Sequence, residues 1–206
     1  RILAVIPARG DSKGIPQKNI CPFNGKPLIV HSVEVAKKSP SVDRIIVSTN
    51  SEEIAAVAKG AGAEVPFLRP AEFAGDKSNV ADAVIHLLAE LKSREGYEPD
   101  YVLLLQPTNP LRTADDIEKS IELIQKRNGD SLVSIYATSE PLLITKDAED
   151  TLTLVNNDLF TSTNRQLMPT YYRLDGCMVF LVNTKSFLET RSFFGGKIIG
   201  YEIERW

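Results

Sequence analysis

The sequence predicts a three-layer α/β domain with a mixed, mostly parallel sheet. Apolar runs rich in β-branched residues recur along the chain, and segments with helical spacing separate them. Because strands and helices alternate for roughly the first 137 residues, the chain should form right-handed βαβ units, which pair their strands in parallel.

The early strands are predicted at ILAVI (2–6), RIIVST (44–49), EVPFL (64–68), YVLLLQ (101–106) and SLVSIY (131–136). Helical spacing between the first two runs covers residues 28–38 and stops before Pro40. Ser51 is predicted to cap a second helix, which ends at Gly60 and Gly62.

Two longer helices follow, and after them the regular alternation of strands and helices stops. One helix is predicted over residues 80–91, and a capping box at Thr113–Asp116 opens another that runs to about residue 127. Residues 138–170 are polar and irregular, with a strand candidate in TLTLV, and are interpreted as an excursion that reaches a partner subunit or the substrate. The remaining elements of this single domain, 1–206, are CMVFLV (177–182), a short helix at 185–189 and KIIGYEI (197–203).

Composition narrows the class of protein. The chain has 206 residues, of which 43% are hydrophobic and 25% charged, as in ordinary globular domains. The net charge of −3 argues against general nucleic-acid binding. Cys21 and Cys177 are expected to be buried apolar side chains, which suits a reducing, cytoplasmic location. No apolar run approaches the ~18 residues of a membrane span. Both ends lie close to strand patterns and are expected to be incomplete.

The loop after the first predicted strand is rich in cations and glycines. It reads IPARGDSKGIPQKNI and places Arg9, Lys13 and Lys18 near Gly10 and Gly14. Ligands of open α/β sheets bind beyond the carboxyl ends of strands, and glycines let backbone N–H groups approach phosphate oxygens. The loop is therefore predicted to bind phosphate, although it matches neither the P-loop nor the dinucleotide fingerprint. The alternative is a solvated loop without a ligand.

Five segments in order resemble the sugar-acid cytidylyltransferases, specifically their N-acylneuraminate branch. They are the N-terminal loop with NGKPL, RIIVSTN (44–50), LRPAEFAGD (68–76), LLLQPTNPLRTADDI (103–117) and NRQ…YRLDG (164–176). They cover almost the whole chain. The resemblance implies a Rossmann-like nucleotidyltransferase fold. It also implies transfer of CMP from CTP to a sialic-acid-like nonulosonic acid, with release of pyrophosphate.

The resemblance also implies roles for individual residues. Asn19 would lie near the cytosine and ribose, and Arg69 near the base; the alternative for Arg69 is a surface arginine. Arg9, Lys13 and Lys18 would be catalytic, because they offset charge on the triphosphate and on the leaving pyrophosphate. The nucleotide-binding set implied in this way is Ala8, Arg9, Gly10, Ser12, Lys13, Lys18, Asn19, Arg69 and Ser78.

The sugar acid would be bound by residues from two later segments. Gln106 opens a stiff turn in which Pro107 and Pro110 shape a pocket rim; alternatively this turn only joins strand to helix. The turn lacks the acid of the related Kdo enzymes, which favours the neuraminate branch. Arginines suit a substrate carboxylate. An acid at position 175 departs from the family pattern and leaves the identity of the sugar open. The implied sugar-binding residues are Gln106, Arg165, Arg173 and Asp175.

A metal and a partner are implied as well. The resemblance implies Mg²⁺ as a divalent metal whose ligands lie beyond Trp206, and a homodimer that uses Leu142, Leu143 and Ile144 of the excursion. His31 and His86 are expected to be packing residues. The alternatives are a sister enzyme for legionaminate, pseudaminate or Kdo, or a catalytically inactive nucleotide-binding protein.

Overall fold

The computed structural model describes residues 1–10, 14–75, 78–138, 144–146, 152–154, 170–176 and 178–204. Contacts divide the chain into two compact units. The first comprises Arg1–Ser134 and Gly176–Tyr201, and the second comprises Ile135–Asp175 and Glu202–Trp206. The single domain with an excursion over 138–170 stays a prediction, because most of that segment lies outside the described residues.

The described strands alternate with helices through the first unit, as the periodicity predicts. In chain order the strands are β1 (Ile2–Pro7), β2 (Pro22–Phe23), β3 (Lys26–Pro27), β4 (Arg44–Ser48), β5 (Tyr101–Leu104), β6 (Ser131–Thr138), β7 (Ile144–Lys146), β8 (Leu152–Leu154), β9 (Tyr171–Leu174), β10 (Phe180–Asn183) and β11 (Ile198–Glu202). The helices are α1 (Leu28–Lys37), α2 (Glu52–Ala61), α3 (Val80–Glu95), α4 (Ala114–Arg127) and α5 (Thr184–Thr190).

The central sheet is mixed, and most of its strands point the same way. Its order is β11-β6-β10-β5-β1-β4. Strand β1 pairs in parallel with both β4 and β5, whereas β10 runs antiparallel to β5 and to β6. Strands β4, β1, β5 and β6 therefore share one direction. This confirms the predicted mixed, mostly parallel sheet.

The central strands are buried on both faces, as parallel strands covered by helices require. Residues 3–6 of β1 and residues 102–105 at β5 have almost no exposed surface. Helix α1 packs against α2 and α4. Asp82 of α3 forms an ion pair with Arg191, the residue that follows α5, with 2.5 Å between the oxygen and nitrogen atoms. The helices thus form two groups, which agrees with the predicted three-layer architecture.

The helix boundaries follow the local capping signals. Ser51 Oγ accepts a hydrogen bond from Ile54 N at 3.4 Å, which satisfies a free donor in the first turn of α2. Thr113 and Asp116 form both bonds of a capping box at the start of α4. Helix α3 extends four residues beyond the predicted end at Leu91 and stops at Gly96, whose φ of 63° favours glycine.

Two predictions about local structure are wrong. EVPFL does not form a strand: only Glu64 makes a bridge, to Ile46, and Phe67 instead packs edge-on against His86 of α3. Cys21 is exposed rather than buried, because it lies between a short 3-10 helix and the small surface ribbon of β2 and β3. Cys177 lies outside the described residues.

Both histidines are packing residues, as predicted. His31 of α1 lies edge-on to Phe23, with 5.4 Å between ring centroids, and its Nε2 lies 2.8 Å from Phe23 O. His86 contacts Phe67 and Phe73.

The second unit contains two antiparallel pairings. Residues 135–138 of β6 pair with β9, and β7 pairs with β8, so the strand predicted in TLTLV is present. Leu142 and Leu143 lie outside the described residues. Within the described part of the chain, no helix has both the length and the apolar composition needed to cross a bilayer.

Replacing Leu103 by alanine should lower the free energy of unfolding by roughly 2–5 kcal/mol, because the change leaves a cavity in the sheet interior. Leu103 is fully buried and lies on β5 between β1 and β10. Leu111, which is 60% exposed, is the matched control, and Leu111→Ala should change stability by less than about 0.5 kcal/mol. Urea unfolding followed by circular dichroism measures both. Equal losses would contradict the central position of β5.

Candidate functional site

A cavity of about 300 Å³ lies in the first unit, at the edge of the sheet where parallel strands end. Strands β1, β4 and β5 run in the same direction, so their carboxyl ends meet there. The loop after β1 contributes Arg9, and the turn after β5 contributes Gln106. This is the position where open α/β sheets bind ligands, and the volume suits a small molecule.

The loop after β1 is fixed from two sides. Gly10 N donates to Asn50 Oδ1 at 2.9 Å, and Asn19 Nδ2 donates to Arg9 O at 2.9 Å. A Cβ at Gly10 would lie 3.1 Å from Ser51 Cβ, so the close approach of this backbone to α2 favours glycine. Arg9 therefore projects from a defined backbone.

Arg69 is a buried cation in the wall of the cavity. Its side chain is 8% exposed and donates from Nε to Ser48 Oγ at 3.0 Å, from Nη2 to Ser48 O, and from Nη1 to Phe73 O at 3.5 Å. Burial, with a smaller contribution from the charge of Arg9, lowers the pKa of Arg69 to about 10. Arg69 is still protonated at neutral pH, and the interpretation as a surface arginine is wrong.

The cavity is built for an anion. Arg9, Lys18 and Arg69 line it, and its described lining contains no Asp or Glu. The start of α3 also faces it, through Asn79 and Val80, and the free N–H groups of a helix N-terminus favour negative charge. Several converging positive groups suit a polyanion such as a chain of phosphates better than a single carboxylate.

The structure brings together most of the predicted residues that it describes. Ser78 and Gln106 line the same cavity as the three cations and Asn19, while Ala8 is buried beneath it and Gly10 lies beside Asn50. Arg173 is exposed on β9 and Asp175 is half-buried, both in the second unit. The predicted residues outside the described part of the chain are Ser12, Lys13 and Arg165.

Sequence reasoning missed other residues at this edge. Asn50 lies two residues after the end of β4, so the rule that located Arg9, that parallel strands end at one edge, could have located it too. Asn79 was not missed in the same way, since the resemblance places the segment 76–79, and Ser78 in particular, near the base. It caps α3 by accepting from Ala81 N at 3.0 Å. Phe73 and Thr108 also line the cavity. Both lie in segments that carry the resemblance, but neither was singled out there.

The donor atoms that line the cavity determine whether it suits a magnesium ion. Mg²⁺ prefers carboxylate, phosphate and water oxygens in octahedral geometry. The described lining offers amide and hydroxyl oxygens beside three cations, and no group of three or more His, Cys, Asp or Glu side chains occurs among the described residues. These residues by themselves do not fit a magnesium site.

A mixed α/β sheet with a cationic cavity at the carboxyl ends of its parallel strands is the arrangement in which enzymes of this fold class bind anionic ligands. The chain belongs to the cytidylyltransferase family, whose model matches residues 3–194. Members of this family are nucleotidyltransferases, and the chain is therefore an enzyme of that class.

Relatives and solved structures agree with this assignment. The chain is 38% identical over 195 residues to the CMP-N,N'-diacetyllegionaminic acid synthase of Legionella pneumophila, covering 94% of this chain and 83% of that protein. It is 32% identical over 207 residues to the N-acylneuraminate cytidylyltransferase of Escherichia coli, but spans only 48% of that protein's length. A CMP:2-keto-3-deoxy-manno-octonic acid synthetase complexed with CTP shares the fold, with a TM-score of 0.71, 16% identity, and coverage of 98% of this chain and 90% of that one.

Inorganic pyrophosphate should stabilise the protein. At a free pyrophosphate concentration of one hundred times its Kd, the free energy of unfolding should rise by about 2.7 kcal/mol, because pyrophosphate should bind the folded cavity and not the unfolded chain. Thermal unfolding measures the effect, which should shrink as sodium chloride screens the charges. Lys18→Met should reduce the shift. Lys59→Met, at an exposed lysine of α2 that does not line the cavity, should leave it unchanged. Equal shifts in both variants would place the anion elsewhere.

Proposed function

We propose that this protein transfers CMP from CTP to a nine-carbon 2-keto sugar acid, a sialic-acid-like nonulosonic acid, and releases pyrophosphate. The observation that carries the proposal is the cavity in which Arg9, Lys18 and Arg69 converge without a described carboxylate. Membership of the cytidylyltransferase family supplies the nucleotide, and the two relatives named above act, by their names, on acids of this class.

The chemistry proposed is an in-line displacement at phosphorus. The oxygen of the anomeric hydroxyl forms a bond to the α-phosphorus, while the bond from the α-phosphorus to the bridging oxygen of the β-phosphate breaks. Pyrophosphate leaves, and the proton of the hydroxyl passes to solvent. Phosphoryl transfer of this kind depends chiefly on positioning and charge stabilisation.

The described residues of the cavity are suited to positioning the phosphates and to stabilising their charge. Arg9 and Lys18 are half-buried cations that line the cavity, and Arg9 Nη1 donates to Gly75 O at 3.3 Å. Both can offset charge as it moves onto the leaving pyrophosphate. Arg69 is fixed by its hydrogen bonds to Ser48 and Phe73 and supplies a stationary charge. The described residues that line the cavity include no His, Asp or Glu.

The acceptor is proposed as a class rather than as one sugar. Identity is 38% to the legionaminic acid enzyme over 94% of this chain, and 39% to the pseudaminic acid cytidylyltransferase of Campylobacter jejuni over 58% of it. Both names, like N-acylneuraminate, denote nine-carbon acids that carry a carboxylate. Gln106 lines the cavity beside Pro107 and Thr108 and is the described residue proposed to contact the sugar.

The deciding experiment measures pyrophosphate release with each of four nucleotides and with sialic, legionaminic, pseudaminic and Kdo acids, in the presence of Mg²⁺. Release should require CTP and a nine-carbon acid. Lys18→Ala should lower kcat by about 10²–10³-fold, the usual effect of removing one preorganised donor, whereas Lys59→Ala should retain full activity. CTP binding without release for any acid would favour the alternative of an inactive nucleotide-binding protein.

We also propose that the protein forms a homodimer through its second unit. Strand β9 exposes Tyr172 and Leu174, with 48% and 49% of their surface accessible, which provides apolar area for an isologous contact. Sedimentation equilibrium at micromolar concentration should give twice the monomer mass. Tyr172→Glu with Leu174→Glu should give a monomer, and a monomeric unaltered protein would refute the proposal.

A further inference from the structure

Arg112 is a buried arginine whose position requires an explanation. It lies in the turn between β5 and α4, and its side chain is 3% exposed. Burying a guanidinium is costly unless its donors are satisfied. Arg112 donates from Nε to Met178 O, from Nη2 to Gln106 O at 3.2 Å, and from Nη1 to Ser32 Oγ at 3.4 Å.

These three contacts join three separate parts of the first unit. Strands β5 and β10 are antiparallel neighbours, with Leu104 opposite Phe180. The turn that leaves β5 and the segment that enters β10 therefore lie at the same edge of the sheet. One guanidinium connects that turn, through Gln106, to that segment, through Met178, and connects both to α1.

A second contact links the same two segments at the surface. Asn109 Nδ2 donates to Gly176 O at 3.0 Å. The turn 106–112 is thus attached to residues 176–178 at two points, one buried and one exposed. Gln106, at the beginning of this turn, lines the cavity.

We propose that Arg112 is a positioning residue for the sugar-acid end of the site, an inference that rests on the proposed function. It touches no substrate. It fixes the carbonyl group of Gln106, and hence the direction of that side chain, against the segment that enters β10. A planar guanidinium presents its donors in a fixed fork and can satisfy three acceptors in different elements at once; the single ammonium group of lysine cannot reproduce this geometry.

The proposal predicts an effect on one substrate only. In Arg112→Lys, the KM for the sugar acid should rise about tenfold or more, since small displacements of positioning groups can cost up to about 10²-fold. The KM for CTP should stay within about twofold, because the cations proposed to bind CTP belong to other loops. A destabilised protein that merely lost structure would be impaired for both substrates.

Two further variants make the test sharper. Ser32→Ala removes only the contact to α1 and keeps the two backbone contacts of Arg112, so it should raise the sugar-acid KM by less than Arg112→Lys does. Asn109→Ala removes only the exposed attachment and should raise that KM by about fivefold, the effect of one hydrogen bond. Because Asn109 Nδ2 makes an exposed contact, this variant should fold even if Arg112→Lys does not.

Amide hydrogen exchange provides a measurement that does not depend on turnover. Residues 106–112 and residues 176, 178 and 179 should exchange faster in Arg112→Lys and in Asn109→Ala than in the unaltered protein, with a smaller increase in Ser32→Ala. Unchanged exchange, or equal increases of KM for CTP and the acid, would overturn the inference. If the unaltered protein releases no pyrophosphate, the proposed function fails, and the exchange rates alone decide whether Arg112 positions the turn.

Discussion

The parallel pairing of β1 with both β4 and β5 is the constraint on which the site depends. It directs three chain segments to one edge of the sheet, where each must turn back into a helix. Arg9, Asn50 and Gln106 follow these three strands, and they come together although almost a hundred residues separate the first from the last. The cavity is a consequence of this topology, and its chemistry comes from the side chains that the three segments carry.

The buried cation of this cavity, Arg69, is held in place by hydrogen bonds to neutral groups. Arg69 donates to a serine hydroxyl and to two carbonyl oxygens, which accept three hydrogen bonds from its five N–H donors and are themselves uncharged. The proximity of Arg9 and the burial of Arg69 both oppose that charge, which the lowered pKa of Arg69 reflects. An anion in the cavity would relieve both effects, so binding of a polyphosphate and stability of the folded site are coupled.

The two described arginines with buried side chains serve different ends. Arg69 faces a cavity, where its charge can meet a ligand. Arg112 instead joins backbone segments, and its fixed donor geometry is the useful property.

The sequence alone determined the elements that depend on nearby residues. The Thr113–Asp116 capping box, the Ser51 cap and the alternation of strand and helix involve neighbours a few positions apart, and all were predicted. The cations Arg9 and Lys18 were also found from their loop.

The strand at EVPFL was predicted wrongly, because a strand needs a partner along its length and only Glu64 has one. Cys21 was misjudged for a related reason, since exposure depends on what covers a residue. Only the tertiary structure decided that Arg69 is buried and that Arg112 reaches Met178, 66 residues away. Local sequence patterns record short-range interactions, whereas burial and long-range hydrogen bonds depend on which distant segments the sheet topology places side by side.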